Sequence, residues 1–405
     1  MAQTSLTSIS GALKRIYDDY VDRSQNLKTR SIDKIGKSAK KYNAGGEGFF
    51  GAINNYGNES VGALNEAESF RTIDAENYVQ WKVVPKVLVA PIQFSGLSAK
   101  AAEGDEESFV NVVVDALERA RDRLLSDENR QFFGLGTGAL ASPSAAVASD
   151  VTSLTVDSTQ YLRANAVVDI FDSGGTKRVD SIRISRVDRQ TGIVYFATSL
   201  GYSLTTTAVI VKENVRDSAA SDGKEAMGLR GIVDDSTDLT TFQNINASTT
   251  DEWKAIRTSA SSANLTSDLL QRLMDDVEIL SGETPDLILM HPLQRRKYLD
   301  IVTPQKRFMD DKMDAGFSGL SFNGMELQLD KDCQTDTVYA VSKKHLRRFE
   351  VAPLAMAEHD DSGAYLKISN QDAYQAYWRH YMNWGTDRRI AHGKLVSLAV
   401  PSGIK

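Results

Sequence analysis

Tyr78-Val-Gln-Trp-Lys-Val-Val-Pro-Lys-Val-Leu-Val-Ala-Pro-Ile-Gln-Phe94 is an extended run rich in β-branched and aromatic residues. Pro85 and Pro91 bar it from a sheet interior, because proline lacks the N–H that a ladder requires. Glu66 to Ile73 reads as a second extended run, with a turn at Asp74-Ala75 between the two. Together they predict a long edge-type ribbon with little nearby sequence to cover it. A lone two-stranded ribbon is marginal in water. It needs another surface, and a neighbouring subunit is the simplest source.

Upstream, glycines 45, 46, 48 and 51 interrupt any helix and open an extended, jointed stretch. Before them, Leu13, Ile16, Tyr17 and Tyr20 recur at helical spacing within Ile9 to Tyr20, and Arg30 to Tyr42 extends that helix weakly. This arm is basic: Lys14, Arg15, Arg23, Lys28, Arg30, Lys34, Lys37, Lys40 and Lys41 face four aspartates in the first 42 residues. It reads either as an arm lying on polyanions or acidic neighbours, or as a solvated amphipathic helix.

Downstream, Asp105 to Arg130 predicts the longest helix, with Phe109, Val112, Val113, Ala116, Ala120 and Leu124 as its apolar stripe. At ~1.5 Å per residue it exceeds most globular helices in length. Ala139 to Asp150 reads as a linker. Short strands follow at Leu154-Thr-Val, Ala166 to Phe171, Val179 to Ile184, Ile193 to Phe196 and Ala208 to Val211, separated by turn signals. They predict a small all-β unit, closed by a polar linker at Ser218 to Lys224. Leu265 to Leu280 then predicts a helix with Leu269, Leu273, Val277 and Leu280 on one face, a cap at Thr266 or Ser267, and Gly282 past its end. Pro285-Asp-Leu-Ile-Leu-Met290 is a buried strand, and His291-Pro292 opens a further helix. Strands are expected at Met325 to Leu329, Thr337 to Val341, Leu346 to Val351 and Tyr365 to Ile368. Tyr374 to Arg389 and Lys394 to Val400 close the chain.

Composition narrows the function. The 405 residues are 41% hydrophobic and 25% charged, ordinary for a soluble protein of more than one packed unit. No segment approaches the ~20 apolar residues of a membrane span, and Met1 to Ser10 lacks the order of a secretory signal. Cytoplasmic synthesis is expected. The net charge of -7 argues against a surface that grips nucleic acid throughout. Cys333 is the single cysteine, which excludes an intrachain disulfide and thiolate zinc clusters, and its Lys-Asp-Cys-Gln-Thr-Asp setting reads as a turn.

Chemistry-bearing motifs are sparse. The five histidines, 291, 345, 359, 380 and 392, show no metal-ligand spacing. His359-Asp360-Asp361 resembles a metal corner but stands before Ser362-Gly363 in a polar stretch. His291 at a helix start reads as a cap. Phe133-Gly-Leu-Gly-Thr-Gly138 follows a helix, whereas a phosphate loop must precede one. The cluster Tyr374-Gln-Ala-Tyr-Trp-Arg-His-Tyr-Met-Asn-Trp384 reads as a strand packing on the long helix; stacking on single-stranded nucleic acid is the weaker alternative.

The order of a basic arm, a bare ribbon, a long helix, strand–helix units and an aromatic strand resembles the major capsid proteins of tailed bacteriophages. Its local carriers are Leu6-Thr-Ser-Ile-Ser-Gly-Ala-Leu-Lys-Arg-Ile-Tyr17, Glu59-Ser-Val-Gly-Ala-Leu-Asn-Glu-Ala-Glu68, Pro285-Asp-Leu-Ile-Leu-Met-His-Pro292 and Trp378 to Ile390. The resemblance implies an α+β, Hong Kong 97-like capsid fold with an inserted small all-β domain. It divides the chain into an N-terminal arm (1–59), an E-loop (60–98), a peripheral domain with a spine helix (99–149), the inserted domain (150–226), and further peripheral residues (227–264). The axial domain (265–369), a peripheral strand (370–391) and an axial C-terminal strand (392–405) complete it.

It further implies a structural subunit, not an enzyme, without cofactors, that assembles as hexamers and pentamers into an icosahedral head around double-stranded DNA held without sequence specificity. Expected partners are copies of itself, a separate scaffolding protein or protease, a portal and a decoration protein, with no membrane. The expected location is the virion capsid, assembled in the host cytoplasm, with the inserted domain facing outward. Inter-subunit contacts are expected from Arg71, Tyr78, Trp81, Lys82, Lys86 and Val89 on the ribbon, and basic contacts from Lys14, Arg15, Lys34, Lys37, Lys40 and Lys41. Deleting Arg71 to Val89 is expected to leave a folded subunit unable to form shells. Two other readings stay open: a metal-dependent hydrolase using His359, Asp360 and Asp361, and another virion part such as a tail or decoration protein.

Overall fold

A computed structural model of the chain describes residues 31–40, 42, 46–73, 75–95, 110–217, 223–302, 321–357 and 366–401, without the side chains of 110–115 and 301–302. The expected N-terminal helix over Ile9 to Tyr20 lies outside these residues. Of the expected extension over Arg30 to Tyr42, the described residues hold a single 3-10 turn at Ile32–Lys34, after which Lys37 bridges to Arg348 in parallel.

The ribbon pairs differently from expectation. β1 (Phe49–Tyr56) runs antiparallel to β2 (Asn77–Val83), from Phe49 opposite Val83 to Tyr56 opposite Asn77. Glu66 to Ile73 is not a strand. The glycines that read as a breaker are what permits β1, since Gly51 lies opposite Trp81 and a Cβ there would overlap the indole and the Lys40 ammonium. β3 (Lys86–Ser95) starts directly after Val84-Pro85, where the missing proline N–H ends the β2 ladder.

α1 (Val110–Phe132) is the long helix. Its described stripe is Leu117, Ala120 and Leu124, with Ala116 exposed; the larger leucine takes the inward position one residue on. β4 (Ala139–Ala141), β5 (Ser153–Thr155), β6 (Val167–Phe171), β7 (Lys177–Asp188), β8 (Ile193–Phe196) and β9 (Val209–Lys212) form one sheet in the order β4-β9-β6-β7-β8-β5. The expected linker after α1 therefore contains a strand, too short to show periodicity. Val168, Ile170, Ile184, Val194 and Ile210 are the fully buried centre of this sheet's core.

The remaining elements are α2 (Leu229–Ile232), a small hairpin β10 (Thr241–Phe242) and β11 (Ile245–Asn246), β12 (Ile256–Ser259), α3 (Ser267–Ser281), β13 (Leu287–Met290), α4 (Pro292–Val302), β14 (Ser321–Phe322), β15 (Met325–Leu329) and β16 (Val338–Val341). β17 (Leu346–Met356), β18 (Leu366–Lys367), β19 (Ala373–Thr386) and β20 (Gly393–Val396) follow. A second six-stranded sheet has the order β12-β20-β16-β13-β15-β14, and β17, β19, β18 and β3 make another, in which β19 pairs with β3. β13 is buried at all four positions, as its unbroken apolar run requires. It pairs parallel with β15 and antiparallel with β16.

α3 shows why its ends fall where they do. Thr266 Oγ1 accepts from Leu269 N–H at 3.2 Å, and Gly282 closes the helix in the left-handed region at φ 70°. Its inward stripe is Leu270, Leu273, Met274 and Val277. Leu280, expected on that face, points outward with Ile279.

The described residues fall into two compact units. The smaller draws on residues 89–125 and 355–379. Within it, Trp378 Nε1 donates to Leu117 O at 3.0 Å and Phe94 stacks on Tyr374 at 5.8 Å. The larger draws on residues 31–88, 126–354 and 380–401 and holds both six-stranded sheets and the β1–β2 ribbon. Among the described residues no helix is long and apolar enough to cross a membrane.

The Gly51–Trp81 fit is testable. Gly51→Val should cost about 2 kcal/mol or more by overpacking, read from urea midpoints. Gly57→Val, where no atom lies within 4 Å of an added Cβ, should be nearly neutral; equal effects would refute the fit.

Candidate interaction surface

The base of the ribbon is a piece of core. Phe49, Trp81 and Val83 are buried, and Phe349 receives both rings, at 5.3 Å from Phe49 and 5.7 Å from Trp81. Lys40 covers the indole, its Nζ 4.2 Å from the ring centroid, and donates to Phe50 O at 3.0 Å. Burial then fades along the strands. Tyr56 and Tyr78, at the far end, are exposed.

Between them the chain leaves the ladder. Every residue from 61 to 73 is exposed. This stretch carries Val61, Leu64, Phe70 (89% exposed) and Ile73 (80%). Its backbone bonds are local, as in Glu68 N–H to Asn65 O at 3.2 Å. Val84, Val87 and Val89, just past β2, are exposed as well. Scattered surface apolar residues are normal, but a run of large ones on a segment without a core marks a surface meant to be covered.

The residues singled out from sequence divide accordingly. Arg71, Tyr78 and Val89 are exposed on or beside the ribbon. Trp81 is not available to a neighbour, because alternation turns it into its own chain's core. Lys82 is half-buried over Phe50, 3.7 Å from Glu47, and Lys86 Nζ donates to Gly223 O at 3.2 Å. Of the basic arm, Lys34 pairs with Glu326 at 2.7 Å, Lys37 pairs with Glu350 at 2.6 Å, and Lys40 is held by Trp81. These three cations are spent within the chain. Lys14, Arg15 and Lys41 lie outside the described residues, as do His359, Asp360 and Asp361. The deletion of Arg71 to Val89 would remove β2 with Trp81 and Val83, so it would unfold the core as well as the tip.

Buried ionic groups, unseen in the sequence, hold the frame that carries the ribbon. His380 on β19 bridges two carboxylates, Nδ1 to Glu128 at 3.1 Å and Nε2 to Glu350 at 2.9 Å. Both contacts require an N–H donor, hence an imidazolium. Burial opposes that charge, but the two carboxylates outweigh it and raise the His380 pKa. Arg389 is fully buried and donates to Ile232 O, Gly231 O and Trp253 O at 2.8, 2.8 and 3.2 Å. Lys394 pairs with Asp234 and Asp238 at 2.8 and 3.0 Å.

Two other histidines are neutral. His291 Nδ1 accepts from Leu293 N–H at 3.1 Å, capping α4 as expected, and burial lowers its pKa to about 4. His392 Nδ1 accepts from Ser342 N–H at 3.2 Å, so Nε2–H donates to Thr386 Oγ1 at 3.0 Å; burial lowers this pKa to about 3. Cys333 is buried, and burial pushes its thiol well above the usual range. Among the described residues no group of three His, Cys, Asp or Glu is placed to hold a metal.

Solved structures share this architecture over nearly the whole chain. The capsid asymmetric unit of cyanophage A-1(L) matches with a TM-score of 0.62 at 10% identity, covering 98% of this chain and 100% of that one. The native GTA particle capsid, computed with C5 symmetry, matches with a TM-score of 0.52 at 10% identity over 98% and 100%. The capsid of Myoviridae phage XM1 matches with a TM-score of 0.51 at 9% identity over 94% and 96%. No protein-family model matches, and no curated sequence does. The fold is thus the α+β, Hong Kong 97-like capsid fold anticipated from the element order.

The His380 bridge has a pH signature. Its folded pKa lies above the unfolded value of about 6.5, so its stabilisation is complete below that value and is lost as pH rises through the folded pKa. His380→Ala, which strands a buried Glu128, should cost about 3 kcal/mol near neutrality or below, with the gap from wild type narrowing toward alkaline pH in urea titrations. A gap that is flat or widens with pH would sink the assignment.

Proposed function

We propose that the chain is a structural shell subunit, a phage major capsid protein that assembles with copies of itself, as hexamers and pentamers, into an icosahedral head around double-stranded DNA. The observation that carries this is the bare apolar tip at residues 61–73, on a fold that superposes on capsid chains end to end.

A subunit that exposes Val61, Phe70 and Ile73 gains about 1.5–3 kcal/mol for each such side chain that a neighbour covers. One contact of that size is weak. A closed shell repeats it at every subunit, and linked contacts multiply. On this reading Arg71, Tyr78 and Val89 contact neighbouring copies, the ribbon begins at β1 rather than at residue 60, and the β4–β9 sheet is an inserted unit. On the same reading a scaffolding protein or protease, a portal and a decoration protein are further partners of the assembled head, the DNA is held without sequence specificity, and the protein resides in the virion capsid.

Because Tyr56 pairs with Asn77, residues 57–76 can be replaced by a two-residue Asn-Gly turn without cutting either strand. This variant should melt like wild type yet form no shells or rings by light scattering and negative-stain electron microscopy. Intact particles from it would refute the proposal.

A further inference from the structure

A second surface of the larger unit is grooved and carries exposed apolar side chains beside a free strand edge. β12 is the end strand of its sheet. Its inner edge is used, with Ile256 N–H donating to His392 O at 3.0 Å and Ala260 N–H to Val396 O at 2.9 Å. A parallel ladder alternates, so the main-chain groups of Arg257 and Ser259 face away from β20. Beside that free edge α3 ends in Ile279 (78% exposed) and Leu280 (59%). Between them runs a groove of about 540 Å³, lined by the whole of β12 and by Arg272, Asp276, Ile279 and Leu280. Edge strands are normally blunted by charge or covered, and here Arg257 is the sole charge on the strand.

The chain also carries a segment suited to it. Residues 59–73 have no ladder partner, expose Val61, Leu64, Phe70 and Ile73, and carry Glu59, Glu66 and Glu68 against Arg71. The groove carries Arg257 and Arg272 against Asp276. Segment and groove therefore each present large apolar side chains among polar ones and are opposite in net charge. Each lacks what the other supplies: backbone partners at a free edge, and apolar area to cover.

We infer that residues 59–73 of one copy add as an outer strand to β12 of a second copy, seating their apolar side chains on Ile279 and Leu280. This rests on the self-assembly reading above and names the receptor for the tip. The acidic segment meets Arg257 and Arg272, the latter 3.9 Å from Asp276 in the free chain.

Two full-length variants test it, Thr72→Cys and Ser259→Cys, at positions exposed in the free chain; the one native thiol, Cys333, is buried. Mixed during assembly under mild oxidation, they should give a disulfide-linked pair that neither gives alone. Ile279→Asp should raise the concentration for half-assembly by about tenfold or more with an unchanged melting temperature. If wild-type rings or shells form without the crosslink and Ile279→Asp assembles normally, the docking fails while the shell reading stands. A crosslink inside the double variant at high dilution means that the segment folds onto its own chain, which also overturns the docking. A wild-type protein that never self-associates defeats both readings.

Discussion

A two-stranded ribbon has only one end that a single chain can bury, and in this molecule that end is Trp81. The indole packs on Phe349, which also receives Phe49, and lies under the Lys40 ammonium, opposite the one residue type that leaves it room. Distal to that anchor burial fades along the β1–β2 ladder, and among the described residues beyond Tyr56 and Asn77 the backbone bonds are local. The exposure of Phe70 and Ile73 follows from this geometry, since the nearest core of the same chain has already been used by the ribbon's base.

The frame beneath the ribbon is held by charges as much as by oil. Glu128, His380 and Glu350 tie α1, β19 and β17 together, and Arg389 and Lys394 draw the backbone around α2 onto the end of β19 and onto β20. Buried ion pairs repay their desolvation poorly, so their value here is geometric. A guanidinium that satisfies three carbonyls admits one arrangement of the segments that supply them, where an apolar contact would tolerate several.

Much of this was legible in residues whose local physics is unambiguous. The Thr266 cap, the Gly282 terminus, the β13 run and the His291 cap each declare themselves by residue type and position. The aromatic strand packed as its alternation implied, with Trp378 on α1. What failed to show was pairing at a distance. Glycines 48 and 51 argued for a break, and only the facing strand explains them, the Val83 carbonyl at Gly48 and the Trp81 indole at Gly51. Leu280 fitted the α3 stripe by spacing, yet the helix turns Leu270 inward instead. The basic arm advertised free cations, but Lys34 and Lys37 find acids at the far end of the sequence, Glu326 and Glu350. His380 looked like one aromatic-cluster residue among many, because neither of its carboxylate partners lies near it in sequence.

The bare tip also ties the subunit's structure to its abundance. A core forms at any dilution because its parts are on one chain, whereas a surface completed only by another molecule is finished or unfinished according to how many molecules are present. On the proposed reading, residues 61–73 thus make the cell's stock of this protein a structural variable. Below some threshold the chain stays a solute with an unfinished edge; above it, the same sequence becomes a wall.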